Sequence, residues 1–342
     1  MMLQLVSGIL RTPLLRLGLV LAFLFPTCLA QDWKQQDSGV LTKLQAIFFA
    51  DKDQGWIVGT NGVVLFTNDG GVKWEKRVVT RGEMFRDIAF LDPGRGFILG
   101  EYSIFNRTSS DYPKDRSFLL SSADSGSSWQ PAQLFNEEMR ADDLKQYTGQ
   151  GLTRLVFADD RTGWTCGESG MILVTRNSGR TWVRQPVPVS KLLYDLAALD
   201  ESTAWAVGGG GMILHTVDGG KNWNEQTSGT NKTLRAVQFL DGKNGWAVGS
   251  GGAIVSTTNG GSRWTSQVSG VEENLNAVWF TSRTEGWAAG DRGILLHTTT
   301  GGRTWDQVNT PTRVNFSRFF FVSPKLGWLV GMNGTILKYK AD

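Results

Sequence analysis

The chain has 342 residues, 40% of them apolar, with 42 Gly, 14 Trp and 35 Lys and Arg against 32 Asp and Glu. That composition can bury a sizeable core and excludes a disordered polymer. Two His and two Cys leave little for a metal cluster, and once Cys28 is assigned to a leader no intrachain disulfide can form.

In chain order, Arg11 and Arg16 precede the apolar run 17–25, followed by Pro26 and Cys28-Leu29-Ala30. Residues 1–30 read as a cleavable secretory signal peptide, with maturation near Gln31. An uncleaved anchor is the alternative, but the run is short against the roughly 20 residues of a bilayer span. Cys28 raises lipidation, although Phe25-Pro26-Thr27 offers no small residue directly ahead of it. Without Arg11 and Arg16 the balance is 33 bases to 32 acids, not the footprint of a nucleic-acid binder.

From Gly55-Trp56 onward a marker recurs at Gly96-Phe97, Gly163-Trp164, Ala204-Trp205, Gly245-Trp246, Gly286-Trp287 and Gly327-Trp328, 41 residues apart except for one gap of 67. A period near 40 made of short alternating segments predicts an all-β, seven-bladed β-propeller of four-stranded antiparallel blades spanning 31–342. Blade six serves as the pattern: strand A over 275–280, B over 286–290, C over 293–298 and D over 304–308. The last copy lacks a strand D. Trp33 lies 23 residues before Trp56, the interval that separates Trp182 from Trp205, so 33–36 is expected to complete the last blade and remove its open edge.

Between strands C and D runs [Ser/Thr]-x-[Asp/Asn]-x-Gly-x-x-Trp, the Asp-box. Its third position holds Asp69, Asp124, Asn177, Asp218 and Asn259, with Thr300 in the sixth copy. The acid or amide can accept backbone N–H groups of its own turn, the Gly permits positive φ, and the Trp fills space between sheets. These residues are expected to hold shape rather than perform chemistry. Spread one per blade, they do not form the paired carboxylates of glycoside hydrolysis.

The long gap adds residues in a B–C loop at 101–116 and a D–A connection at 131–151, which emerge on one face over blades two and three. That rim carries Tyr102, Phe105, Tyr112, Arg116, Phe135, Arg140 and Tyr147, and 134–147 reads as a short amphipathic helix. Loops on a rigid scaffold commonly carry function, so Tyr102, Tyr112 and Arg116 are candidate partner-binding residues. Neutral surface growth is the other reading.

Strand A is expected beside the channel, its start on that same face. One column there holds Gln45, Arg86, Thr153, Tyr194, Arg235, Asn276 and Ser317; the next holds Ala46, Asp87, Arg154, Asp195, Ala236, Ala277 and Arg318. Arg86, Arg154, Tyr194, Arg235 and Arg318 are candidates for binding carboxylates or an acidic peptide. Alternatively, Arg86 and Arg235 pair with Asp87, Asp195 or loop acids as inter-blade salt bridges.

The repeat A-V-x-F-x-D-x-x-x-G-W-x-V-G-x-x-G-x-I-L-x-T-x-D-G-G-x-x-W, as in 236–264 and 277–305, resembles the photosystem II stability and assembly factor family of cyanobacteria, algae and plants, with its relatives in non-photosynthetic bacteria. The resemblance covers essentially the whole mature chain. It implies a non-enzymatic lumenal or periplasmic assembly factor without cofactor or metal, monomeric and brought near the membrane by its client, the precursor of a photosystem II reaction-centre protein. It also implies a partner-binding arginine patch on the channel face, for which Arg86, Arg154, Arg235 and Arg318 occupy candidate positions. Two other classes stand beside it: a general periplasmic or envelope interaction propeller, and an Asp-box glycosidase. The glycosidase reading lacks the Arg-Ile-Pro segment of sialidases and has only Tyr194 with Asp195 as an imitation of their nucleophile pair.

Overall fold

The computed structural model describes residues 33–80, 83–102, 116–135 and 151–341. The leader with Cys28, the rim residues Phe105, Tyr112, Arg140 and Tyr147, and nearly all of the helix expected over 134–147 lie outside the described residues.

The described strands form seven four-stranded sheets. Strand A of the successive blades is Leu44–Phe49, Met84–Asp92, Leu152–Phe157, Leu193–Ala198, Leu234–Phe239, Leu275–Phe280 and Phe316–Ser323. Each packs against the next, and the ring closes where the first meets the last. Trp33–Gln36 pairs antiparallel with Ile336–Lys340, Trp33 opposite Tyr339. Trp33 is buried, its ring centroid 5.3 Å from those of Trp287 and Tyr339. The N-terminal strand therefore completes the seventh blade, as its spacing from Trp56 requires.

Blade six keeps its expected A and B strands, but C is Leu295–Thr298 and D only Asp306–Gln307. C starts late because Asp291–Gly293 forms a single 3₁₀ turn and the Gly293 N–H, at φ +77°, bonds Val314 O at 2.8 Å. D is brief because Trp305 turns inward to the blade interface, its ring 5.8 Å from that of Phe280.

The repeated markers meet at these interfaces. Trp246 of blade five stacks on Phe280 of blade six at 3.6 Å, and Trp205 stacks on Phe239 likewise. Offset-stacked and edge-to-face rings add about 0.5–1.5 kcal/mol per pair beyond area burial. The Gly of each Gly-Trp pair lies under a phenylalanine at or near the end of its own strand A: a Cβ at Gly245 would sit 2.5 Å from the Phe239 ring. Blade four is the exception that shows the cause. There strand A ends in Ala198, paired opposite Ala204, so the methyl is accommodated.

The Asp-boxes close the same interfaces. Asp218 Oδ1 accepts the Asn222 N–H at 3.0 Å and the Thr216 hydroxyl at 2.9 Å, while Thr216 Oγ1 accepts the Gly220 N–H at 2.9 Å. In the sixth box Thr300 Oγ1 takes the Thr304 N–H at 3.0 Å, a hydroxyl doing the work of the carboxylate. A residue not foreseen locks one box to the neighbouring blade: Gln226, just after strand D of blade four, donates to Gly260 O at 2.9 Å and accepts from Trp264 Nε1 at 3.0 Å. Gln36 and Gln267 occupy the corresponding places against Trp74 and Trp305. A W-x-x-Q spacing, visible at 33–36, 223–226 and 264–267, marks this lock; at 182–185 the same spacing is present, but Gln185 donates to Val183 O at 3.0 Å instead.

Candidate functional site in the central channel

Every strand A carries a register shift at its start, for example between Phe85 and Asp87 and between Leu234 and Ala236. A bulge leaves two residues opposite one and re-aims the side chain. The bulged residue is Gln45, Arg86, Thr153, Tyr194, Arg235, Asn276 or Ser317, and all seven line one cavity of about 620 Å³ at the channel mouth. The first predicted column is thus a real ring. Arg116, the last residue of the B–C insertion, lines the same cavity. Tyr102 packs its ring 4.6 Å from that of Phe118 and does not line the cavity.

The second column lies one layer deeper and is internally paired. Arg154 of blade three donates from Nη1 to Asp87 Oδ2 of blade two at 2.7 Å, and its Nε lies 2.9 Å from Asp195 Oδ1 of blade four. Arg318 of blade seven reaches that same oxygen at 3.2 Å. Asp87 and Asp195 also accept the N–H groups of Leu155 and Val237, at 2.8 and 3.0 Å. Ala46, Ala236 and Ala277 fill the remaining places of this layer, and their small side chains leave room for Arg318 to cross.

This corrects one predicted pairing. Asp87 and Asp195 are held by Arg154 and Arg318, not by Arg86 and Arg235. Arg86 instead donates from Nε to Glu101 Oε2 of its own blade at 2.7 Å. Glu101, 2% exposed, is also bonded by Arg116, whose Nη1 reaches Glu168 at 2.9 Å. Among the described residues, Arg235 has no carboxylate partner: Nη1 donates to Asn276 Oδ1 at 3.1 Å and Nε to Ser250 Oγ at 3.4 Å.

The mouth acids were missed, although a third column carried the signal. The residue after each strand-B glycine is Thr60, Glu101, Glu168, Gly209, Ser250, Asp291 or Met332, and its three carboxylates all line the mouth. Arg86 and Arg235 hold equivalent places in blades two and five, each fifteen residues before its column partner; one finds Glu101 and the other Ser250. Lys43 joins the lining. Burial holds its ammonium below the usual lysine range, with Arg86 adding repulsion and Asp291 partly offsetting it. Asp291 itself accepts from Asn274 and Asn276, both at 2.8 Å. The described lining therefore carries five cations, Lys43, Arg86, Arg116, Arg235 and Arg318, against Glu101, Glu168 and Asp291. The surplus lies between Lys43 and Arg235.

Tyr194 lines the mouth while its neighbour Asp195 is buried and doubly paired, so the two do not form a nucleophile pair. Burial lifts the Cys166 thiol to about 12, and among the described residues no group of three or more His, Cys, Asp or Glu is placed to hold a metal. No helix among them is long and apolar enough to cross a membrane.

A sequence model described as photosynthesis system II assembly factor YCF48 matches residues 25–136 and 226–315. A chloroplastic photosystem II stability/assembly factor HCF136 of Cyanidioschyzon merolae is 44% identical over 77 residues, 22% of this chain and 18% of the relative. A photosystem II assembly lipoprotein Ycf48 of Prochlorococcus marinus is 33% identical over 73 residues, 19% of this chain and 22% of that one. The alignments thus span about a fifth of these curated relatives. A solved structure of YCF48 bound to D1 peptide is similar in fold, with a TM-score of 0.71, 23% identity, and coverage of 91% of this chain and 96% of that one.

Proposed function

Because the chain belongs to the photosynthesis system II assembly factor YCF48 family, we propose that it is an exported, non-enzymatic scaffold whose channel mouth binds a carboxylate-bearing segment of a photosystem II reaction-centre precursor. The observation that carries the reading is the unequal neutralisation of the mouth. Arg86, Arg116, Arg154 and Arg318 each hold a carboxylate already, whereas Arg235 faces neutral Asn276 and Ser250. Lys43 is half-buried beside the same surplus of positive charge. An incoming carboxylate gains charge-assisted hydrogen bonds there without displacing an internal acid. The paired arginines fix the shape of the mouth, and Tyr194 and Thr153 present a wall on which a peptide can rest.

The D1 peptide in the similar YCF48 structure makes this client class the natural one to test. Overlapping fluorescent peptides of the D1 precursor, titrated with the mature protein, should give one binding register. Neutralising the acids of that peptide should abolish binding. Equal binding of charged and neutralised peptides would refute the reading. Export rests on residues 1–30, and N-terminal sequencing of the protein from its host should begin near Gln31.

A further inference from the structure

One acid of the mouth is held by amides rather than by a cation. Glu101 pairs with Arg86 and Arg116, and Glu168 with Arg116. Asp291 lines the same cavity, yet among the described residues it joins no ion pair. Both its oxygens are taken by side-chain amides: Asn276 Nδ2 donates to Oδ1 and Asn274 Nδ2 to Oδ2, each at 2.8 Å.

The repeat shows how this comes about. In blades two, five and six the bulged residue of strand A bonds the residue fifteen places on, just after strand B: Arg86 meets Glu101, Arg235 meets Ser250, and Asn276 meets Asp291. Blade five therefore has a guanidinium without an acid and blade six an acid without a guanidinium, and their A strands pack side by side. Asn276 stands between the two charges. Its Oδ1 accepts from Arg235 Nη1 at 3.1 Å, while its Nδ2 donates to Asp291 and also to Phe316 O of blade seven at 3.1 Å. Turning the amide over would set its N–H groups against a guanidinium and its oxygen against a carboxylate. Asn274 braces the arrangement, since its Oδ1 accepts the Gly251 N–H at 3.2 Å in the turn that offers Ser250 to Arg235. Arg235 Nη2 makes no hydrogen bond among the described residues.

Resting on the proposed reading of the mouth, we infer that Asn276 is a positioning residue of the client site: its carboxamide holds Arg235 by its oxygen and Asp291 by its nitrogen, which keeps the acid off the guanidinium and leaves Arg235 Nη2 for a carboxylate of the client. A guanidinium already paired with an internal acid offers an incoming carboxylate little, because the old pair must be broken to form the new one. The amide instead gives each ion a charge-assisted hydrogen bond and cancels neither charge.

The test measures affinity for the D1-precursor peptide that wild-type protein binds most tightly, with folding of each variant checked by thermal unfolding. Asn276→Ser removes the spacer, lets Asp291 turn to Arg235, and should weaken binding about ten-fold. Adding Asp291→Asn should restore most of that loss, a rescue that a role confined to stability would not give, since the second change removes further bonds. Asn276→Asp with Asp291→Asn keeps the net charge of the mouth but moves the acid onto Arg235, and should bind as weakly as Asn276→Ser. Wild-type affinity in this charge-matched variant or in Asn276→Ser, or no rescue by Asp291→Asn, would overturn the positioning role alone, provided Arg235→Gln still weakens binding. Absence of binding by wild type would overturn the reading of the mouth and the role of Asn276 together.

Discussion

Arg318 and Asp195, 123 residues apart, meet at 3.2 Å across the channel and join blade seven to blade four. Because Asp195 Oδ1 also lies 2.9 Å from Arg154 Nε, one oxygen connects three blades. The layer separates the polar mouth from a second, lower cavity lined mainly by apolar strand-A residues.

Removing Asp195 strands two guanidinium groups and the Val237 N–H. Breaking a buried pair in this way typically costs about 3–5 kcal/mol; because Arg154 and Arg318 are about one-fifth exposed, the expectation for Asp195→Ala lies toward the low end. Urea unfolding of that variant measures it, and a loss below about 1 kcal/mol would show that solvent screens the layer.

Gln226→Ala should lower stability by about 1–2 kcal/mol, since it removes bonds to Gly260 O and Trp264 Nε1 across one blade interface. Thermal unfolding beside a surface control, Lys232→Ala, reads this. An unchanged melting temperature would mean that the Asp-box turn docks without the amide.

A double-mutant cycle tests the glycine rule. Gly245→Ala forces a methyl against Phe239 and should cost about 1–3 kcal/mol. In Phe239→Ala the same substitution should cost far less, because it reproduces the Ala198 and Ala204 pair of blade four. Additive effects would contradict the steric origin of the glycine.

Acid should loosen the Asp-boxes. Bonds from the Ser128 side chain and backbone hold Asp124 down to about 2, and the Asn222 backbone and side chain hold Asp218 there too. Depressed carboxylates stabilise the fold fully above their unfolded value, near 3.8, and that contribution disappears as pH falls through about 2. Asp124→Asn with Asp218→Asn should therefore flatten the stability curve between these limits. A curve with the wild-type slope would remove the carboxylates as its cause.

The ring and its latch were legible because each blade repeats its interface residues at a fixed spacing. Trp33 and Trp56 alone place the N-terminal strand. The mouth was legible as a ring of positions, since the bulge recurs in every strand A. Its charge pairing was not. Arg318 chooses a partner 123 residues away, a choice governed by which blades carry alanine at the waist, and no local pattern states which blade faces which. Arg86 and Arg235 read alike until the column containing Glu101 and Ser250 is aligned with them. The lower cavity escaped because its column mixes Phe48, Ala89 and Gln238, which read singly as ordinary strand interior.

The proposed client binding turns on the surplus charge at Lys43 and Arg235. The direct measurement is the affinity of a D1-precursor peptide for wild-type protein, for Lys43→Gln with Arg235→Gln, and for Arg86→Gln. The pair of substitutions should weaken binding at least about ten-fold and remove much of its salt dependence, while Arg86→Gln changes it less. Affinity should also fall as pH rises through the lowered Lys43 range. Equal affinity in wild type and the folded double variant would contradict the assignment of the mouth as the client site.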